Sequence, residues 1–166
     1  MDEKSSNQYC QNLVRVRDYN RYLLSFFVPR QSRASLLAIM ALNVELQSIP
    51  DKANDPMAAL IRLQWWRDAI DAIYLGKDIQ TSPIFPSLER AIHTHKIPKQ
   101  DVESLMICYD DIIRGTPKDP DDDLYGVLSS VIPTPKARNR FSKKLQLHDN
   151  LDDETPFRAL RLLTGI

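Results

Sequence analysis

Ala34 to Leu46 reads ASLLAIMALNVEL, a run that is apolar on almost every side when wound as a helix. A helix of that kind belongs in the middle of a bundle, because no face of it gains from contact with water. Yet it carries Asn43, with Gln47 four residues on along the same face and Glu45 between them in sequence. Buried polar groups are costly without partners, so these amides either hydrogen-bond to a neighbouring helix or face a cavity. The second informative block is residues 56–75, PMAALIRLQWWRDAIDAIYL. Trp65, Trp66, Ile70, Ile73 and Tyr74 give it a wide apolar surface, punctuated by Arg62, Arg67, Asp68 and Asp71. Arg67 and Asp71 stand at i,i+4, which predicts an ion pair along the helix. Neighbours on a helix point about 100° apart, so at least one of the two tryptophans is expected in the core.

Outward from these blocks, prolines and glycines punctuate the chain. The pattern predicts helices over about 7–17 and 19–27, the latter stopped by Pro29, and over 31–49. Asp55-Pro56 has the form of an N-cap followed by proline at the first helical position, and Gly76 sits where that helix would end. Further helices are expected over 83–95, from Pro98 to Gly115, over 121–131, and near 135–146 and 155–164. No alternating run of β-branched residues is long enough for a sheet, so the fold class is all-α, a single domain over residues 1–166.

Composition narrows the function classes. Twenty-two Lys plus Arg balance 22 Asp plus Glu, which excludes nucleic-acid binding driven by bulk charge. The two cysteines, Cys10 and Cys108, form no metal-ligand pattern and fit a reducing compartment. The first residues, MDEKSSNQYC, lack the form of a secretory signal and are too acidic for a mitochondrial transit peptide, which points to the cytoplasm of a bacterium. The longest nearly apolar stretch, 35–44, is about half of the ~20 residues that span a bilayer.

Other chemistry-bearing clusters read as ordinary surface. Asp119, Asp121, Asp122 and Asp123 lack the glycine and glutamate of a calcium loop and suit a helix N-terminus, which favours acidic residues. Asp110 and Asp111 diverge on a helix, as do His93 and His95. Lys136, Arg138, Arg140, Lys143 and Lys144 are a basic run suited to a solvated face or to peripheral contact with an anionic membrane, and the acidic run 149–154 offsets it.

The strings RYLLSFFVPRQSRASLLAIMALNVELQSIPD (21–51) and IRLQWWRDAIDAIYLG (61–76) resemble the squalene/phytoene synthase family. The signals are the spacing of Phe27, Pro29 and Arg33, the ALNVEL helix and the RLQWWRD string, within a resemblance covering about 8–130. The likeness is strongest to a branch found in alphaproteobacteria and mitochondria that includes a complex I assembly factor. It implies a helical bundle of the isoprenoid synthase type, here truncated. Active members are transferases that join two prenyl diphosphates head to head, with aspartate-rich motifs holding magnesium.

The resemblance assigns Arg33, Asn43, Glu45, Asp51 and Tyr125 to diphosphate binding, and Glu45 and Asp51 to magnesium. It assigns no residue a catalytic role. The two leading aspartates of the first motif fall at Gln47 and Ser48, whose neutral oxygens are weaker magnesium ligands than carboxylates. The second motif has no clear counterpart. The expected function is therefore a catalytically degenerate family member acting as a binding or assembly module. The alternative is an active prenyltransferase completed by a partner chain, with magnesium as cofactor. Prenyl diphosphate, a homo-oligomeric copy or another protein are the expected partners, and the mitochondrial matrix is the alternative location.

Overall fold

The computed structural model describes residues 2–77 and 82–132. The helices expected over 135–146 and 155–164, the basic run and the acidic run lie outside the described residues. The described elements are all helical: α1 (Glu3–Arg17), α2 (Tyr19–Leu24), a 3-10 turn (Ser25–Phe27), α3 (Arg30–Gln47), α4 (Ile49–Lys52), α5 (Pro56–Tyr74), α6 (Phe85–His95), α7 (Lys99–Ile113) and α8 (Asp121–Val131). The expected boundaries hold to within a few residues. The differences are an earlier start for α1 and a break at Ser48, beyond which the chain makes the separate short helix α4.

Burial explains the arrangement. Every residue of α3 from Ser35 to Val44 is buried, as is Leu46. The helix is covered by α1, α6, α8, the 3-10 turn, α7 and α4. One continuous core joins Leu36, Ile39, Met40 and Leu42 to Cys10 and Val14 of α1, Leu88 and Ile92 of α6, Leu105 of α7 and Leu124 and Leu128 of α8. On α5, Leu63, Trp66, Ile70 and Ile73 face this core, and the helix packs on α7 and α4. Trp66 is 5% exposed and Trp65 36%, so one of the pair is core and the other lies at the surface.

The helix ends follow local chemistry. The Asp18 carboxylate accepts from the Arg21 N–H at 3.0 Å and starts α2, and Asp55 accepts from Ala58 N–H at 2.9 Å and starts α5. Three helices close with the same left-handed turn, in which an N–H five residues on reaches back to a carbonyl of the last turn. These bonds are Lys77 to Ala72, Thr116 to Asp111 and Ile97 to Ile92. Gly76 (φ 62°) and Gly115 (φ 88°) supply the positive φ in the first two, but Lys96 (φ 50°) supplies it in the third. A side chain in that conformation costs roughly 1–2 kcal/mol that glycine avoids.

Lys96→Gly is therefore expected to raise stability by up to about 1 kcal/mol, read as a higher denaturant midpoint at unchanged slope. Trp66→Ala should cost about 3–5 kcal/mol and Trp65→Ala clearly less. Equal losses for the two tryptophans would contradict their placement.

Candidate functional site

The C-terminal end of α3 and the facing side of α5 form an open groove of about 650 Å³. Glu45, Ser48 and Lys52 line one wall, and Ala58, Ile61, Arg62, Trp65 and Trp66 the other. Its aromatic part is held firmly. Trp65 meets Trp66 edge to face at 5.0 Å and stacks on Phe85 at 5.8 Å. Glu45 is ion-paired with Lys52 at 3.3 Å, and the Ser48 hydroxyl donates to the Glu45 carbonyl at 2.8 Å.

The five residues assigned to diphosphate binding do not gather here. Glu45 lines the groove, and Asp51 is exposed on α4, which follows directly. Arg33 lies near the opposite end of α3, where Nε donates to the Ser25 carbonyl at 3.1 Å and the guanidinium sits 4.7 Å from the Phe26 ring centre. Asn43 is 1% exposed inside the bundle and accepts a hydrogen bond from Tyr109 Oη at 2.8 Å. Tyr125 is half-buried against the core on α8. Gln47 is exposed, so it neither meets a neighbouring helix nor faces an interior cavity as a buried partner of Asn43 would. The reason is its place in the last turn of α3, where the helix leaves the core.

The magnesium that the family resemblance implies finds a poor donor set. Glu45 already answers a lysine ammonium, and Gln47 and Ser48 stand where carboxylates would be needed. Among the described residues, no three His, Cys, Asp or Glu side chains converge on a point that could hold a metal ion. The described residues do not fit a magnesium clamp.

Other carboxylates are likewise engaged by protein cations. Arg67 bonds not to Asp71, as i,i+4 spacing predicts, but to Asp110 on α7 at 2.9 Å. Asp71 is taken instead by Lys99 at 3.0 Å. The inter-helix pair wins because α5 packs directly on α7 and brings Asp110, only 17% exposed, to the guanidinium. Burial works against the Asp110 charge, but hydrogen bonds from Arg114 and Arg67 outweigh it and hold the carboxyl below its usual range. Asp111 points elsewhere, to Lys118.

A polar cluster inside the bundle went unread in the sequence. Arg21 of α2 lies between Asp18 and Asp121, all three largely buried. Burial opposes the guanidinium charge and the two carboxylates more than restore it. This clamp fastens the start of α8 to α2 across 100 residues of chain. No sequence signal reaches over that separation. The Asp18 cap was the only local hint. A second buried cluster joins Ser6, Asn7 and Ser87, with Ser6 Oγ donating to the Pro83 carbonyl at 2.7 Å and accepting from the Ser87 N–H at 3.1 Å.

The squalene/phytoene synthase family profile matches residues 14–124, two thirds of the sequence, and the chain belongs to that family. Curated relatives named as complex I assembly factor 6 are 36% identical in Bos taurus and 34% in Homo sapiens, each over 95 residues. Those matches cover 57% of this chain and 28% of each relative. The Drosophila melanogaster homolog is 29% identical over 97 residues, 55% of this chain and 29% of the relative. The chain thus spans little more than a quarter of the length of these proteins.

Two outcomes check the electrostatics of the bundle. Asp110→Asn should destabilise the fold near neutral pH. Because the folded carboxyl titrates below its unfolded value, that contribution is present above the ordinary carboxylate range and is lost as pH falls through the lower folded value. The gap between wild type and variant in chemical denaturation should therefore close in acid. In a second measurement, the Cys10 thiol, pushed up to about 11 by burial, should resist a thiol reagent at neutral pH until the chain unfolds.

Proposed function

We propose that this chain is a non-catalytic binding and assembly module built on the squalene/phytoene synthase scaffold, and that its partner is a protein of respiratory complex I assembly. The observation that carries the reading is the state of Glu45. Of the two carboxylates that the resemblance assigns to magnesium, Glu45 is ion-paired with Lys52 and Asp51 is left exposed on α4, with Gln47 and Ser48 standing in sequence where the leading aspartates would be. A diphosphate leaving group carries several negative charges, and electrostatic stabilisation of that charge is usually the largest catalytic term. A site whose carboxylate already answers a lysine has little left with which to hold magnesium.

The names of the relatives supply the partner class, and the exposed apolar side of α5, Met57 and Ile61 beside Trp65, offers a surface for it. The chain then works where complex I is built, at the bacterial cytoplasmic face or in the mitochondrial matrix. In this reading, prenyl diphosphate is at most a weak anionic ligand and magnesium has no resident role.

The test incubates the purified chain with farnesyl or geranylgeranyl diphosphate and magnesium and chromatographs the apolar products. No condensation product is expected. A squalene- or phytoene-like product that Asp51→Ala abolishes would overturn the non-catalytic reading. Native gels of membranes from cells lacking the chain should show complex I subassemblies in place of the mature enzyme, and unchanged complex I would overturn the partner assignment.

A further inference from the structure

The N-terminal part of the bundle carries a surface that the assembly reading does not use. Residues 15–33 contain five arginines and one aspartate. That aspartate, Asp18, is held by Arg21. Arg15, Arg17, Arg30 and Arg33 have no carboxylate partner among the described residues, although the chain as a whole is neutral.

The same stretch exposes a ladder of aromatic rings. Tyr19 lies 6.2 Å from Tyr22, and Tyr22 meets Phe26 edge to face at 5.2 Å. Phe26 is 50% exposed and its neighbour Phe27 44%. Tyr19, Phe26 and Phe27 are ring surface that folding left in water, while Tyr22 is partly buried against the core and links Tyr19 to Phe26.

Geometry makes the arginines and the rings one face. Arg33 lies over Phe26 and is braced by the Ser25 and Phe26 carbonyls. Arg30 is one turn before Arg33 on α3 and shares its side of the helix. Gln11 of α1 donates to Tyr22 Oη at 3.3 Å, and Arg15 stands one turn beyond Gln11. Arg15, Arg30 and Arg33 therefore rim the ring ladder from two helices.

Aromatic side chains placed beside cations suit the boundary between lipid headgroups and acyl chains. Rings enter the boundary, and guanidinium groups meet phosphates with charge-assisted hydrogen bonds. No described helix is long and apolar enough to cross a membrane, so contact of this kind lies on the bilayer. We propose that the face formed by Tyr19, Tyr22, Phe26, Arg15, Arg30 and Arg33 docks the protein on the surface of an anionic lipid bilayer.

The test is co-sedimentation of the full chain with phosphatidylcholine vesicles, with and without phosphatidylglycerol. Binding is expected only with phosphatidylglycerol and should fall with salt. Near an anionic surface each arginine is worth about 1 kcal/mol, so Arg30→Glu should weaken binding at least about fivefold. Phe26→Ser should weaken it as well, and because Phe26 is exposed, both variants should keep the wild-type circular dichroism and denaturant midpoint. Wild-type binding by both folded variants, equal binding to neutral vesicles or no binding to anionic ones would overturn the proposal. Binding of inorganic phosphate by the chain in calorimetry, together with no binding to anionic vesicles, would assign the face to free phosphate and overturn the bilayer. Light scattering covers the remaining occupant. A dimer that Phe26→Ser splits, with vesicle binding unchanged, would assign the face to a second copy of the chain.

Discussion

A helix that is apolar on every side must be covered on every side, and α3 imposes that condition on the rest of this bundle. Its cover comes from both directions along the chain: α1 and the 3-10 turn before it, α4, α6, α7 and α8 after it. None of those helices is apolar all round, so each turns its one suitable face to α3 and leaves the other to water. Polar groups trapped between the helices pair across the helix contacts. Asn43 takes the Tyr109 hydroxyl, and Ser6, Asn7 and Ser87 satisfy one another where α1 meets α6. The ends of the cover are then fastened by charge, with Arg21 joining α2 to α8 and Arg67 joining α5 to α7.

Which parts of this were legible in the residues follows from the range of each interaction. Helix starts and stops are set by atoms within a few residues, so Asp55-Pro56, Gly76 and Gly115 marked them correctly. The end of α6 was not legible in the same way, because a lysine in the left-handed position, as at Lys96, carries none of the usual signal of a helix stop. The break at Ser48 was hidden for a related reason. Pro50 tolerates the first turn of a helix, so α4 could start there without a visible stop to α3. The partner of Arg67 was misread because i,i+4 spacing describes an isolated helix, whereas α7 brings Asp110 to it in the bundle.

The candidate site was legible in its composition and not in its geometry. Asn43 announced itself as a polar group in an apolar run, and its bond to Tyr109 is the ordinary resolution of that conflict. Glu45 stood out as the carboxylate left near the depleted motif, but its pairing with Lys52 depends on the turn into α4. Arg33, which the resemblance assigns to diphosphate, has as its nearest contacts the Phe26 ring and two backbone carbonyls, all local.

These placements bear on what the scaffold can do with charge. A carboxylate recruits magnesium when its charge is otherwise unanswered, and here Glu45, Asp110, Asp111 and Asp121 each meet a lysine or arginine of the same chain. Internal pairing joins α2 to α8 and α5 to α7 through side chains of the chain itself. It also answers Glu45, one of the two carboxylates that the resemblance assigns to magnesium. Around Phe26 the balance runs the other way, since the single aspartate of that stretch is consumed by Arg21, the remaining arginines have no carboxylate partner among the described residues, and Arg33 lies over the exposed Phe26 ring. At the groove the Glu45–Lys52 pair cancels and Arg62 has no carboxylate partner among the described residues, and at the aromatic end Arg15, Arg17, Arg30 and Arg33 have none either. The chemistry that α3 can present to a ligand is thereby shifted from holding a cation toward meeting an anion.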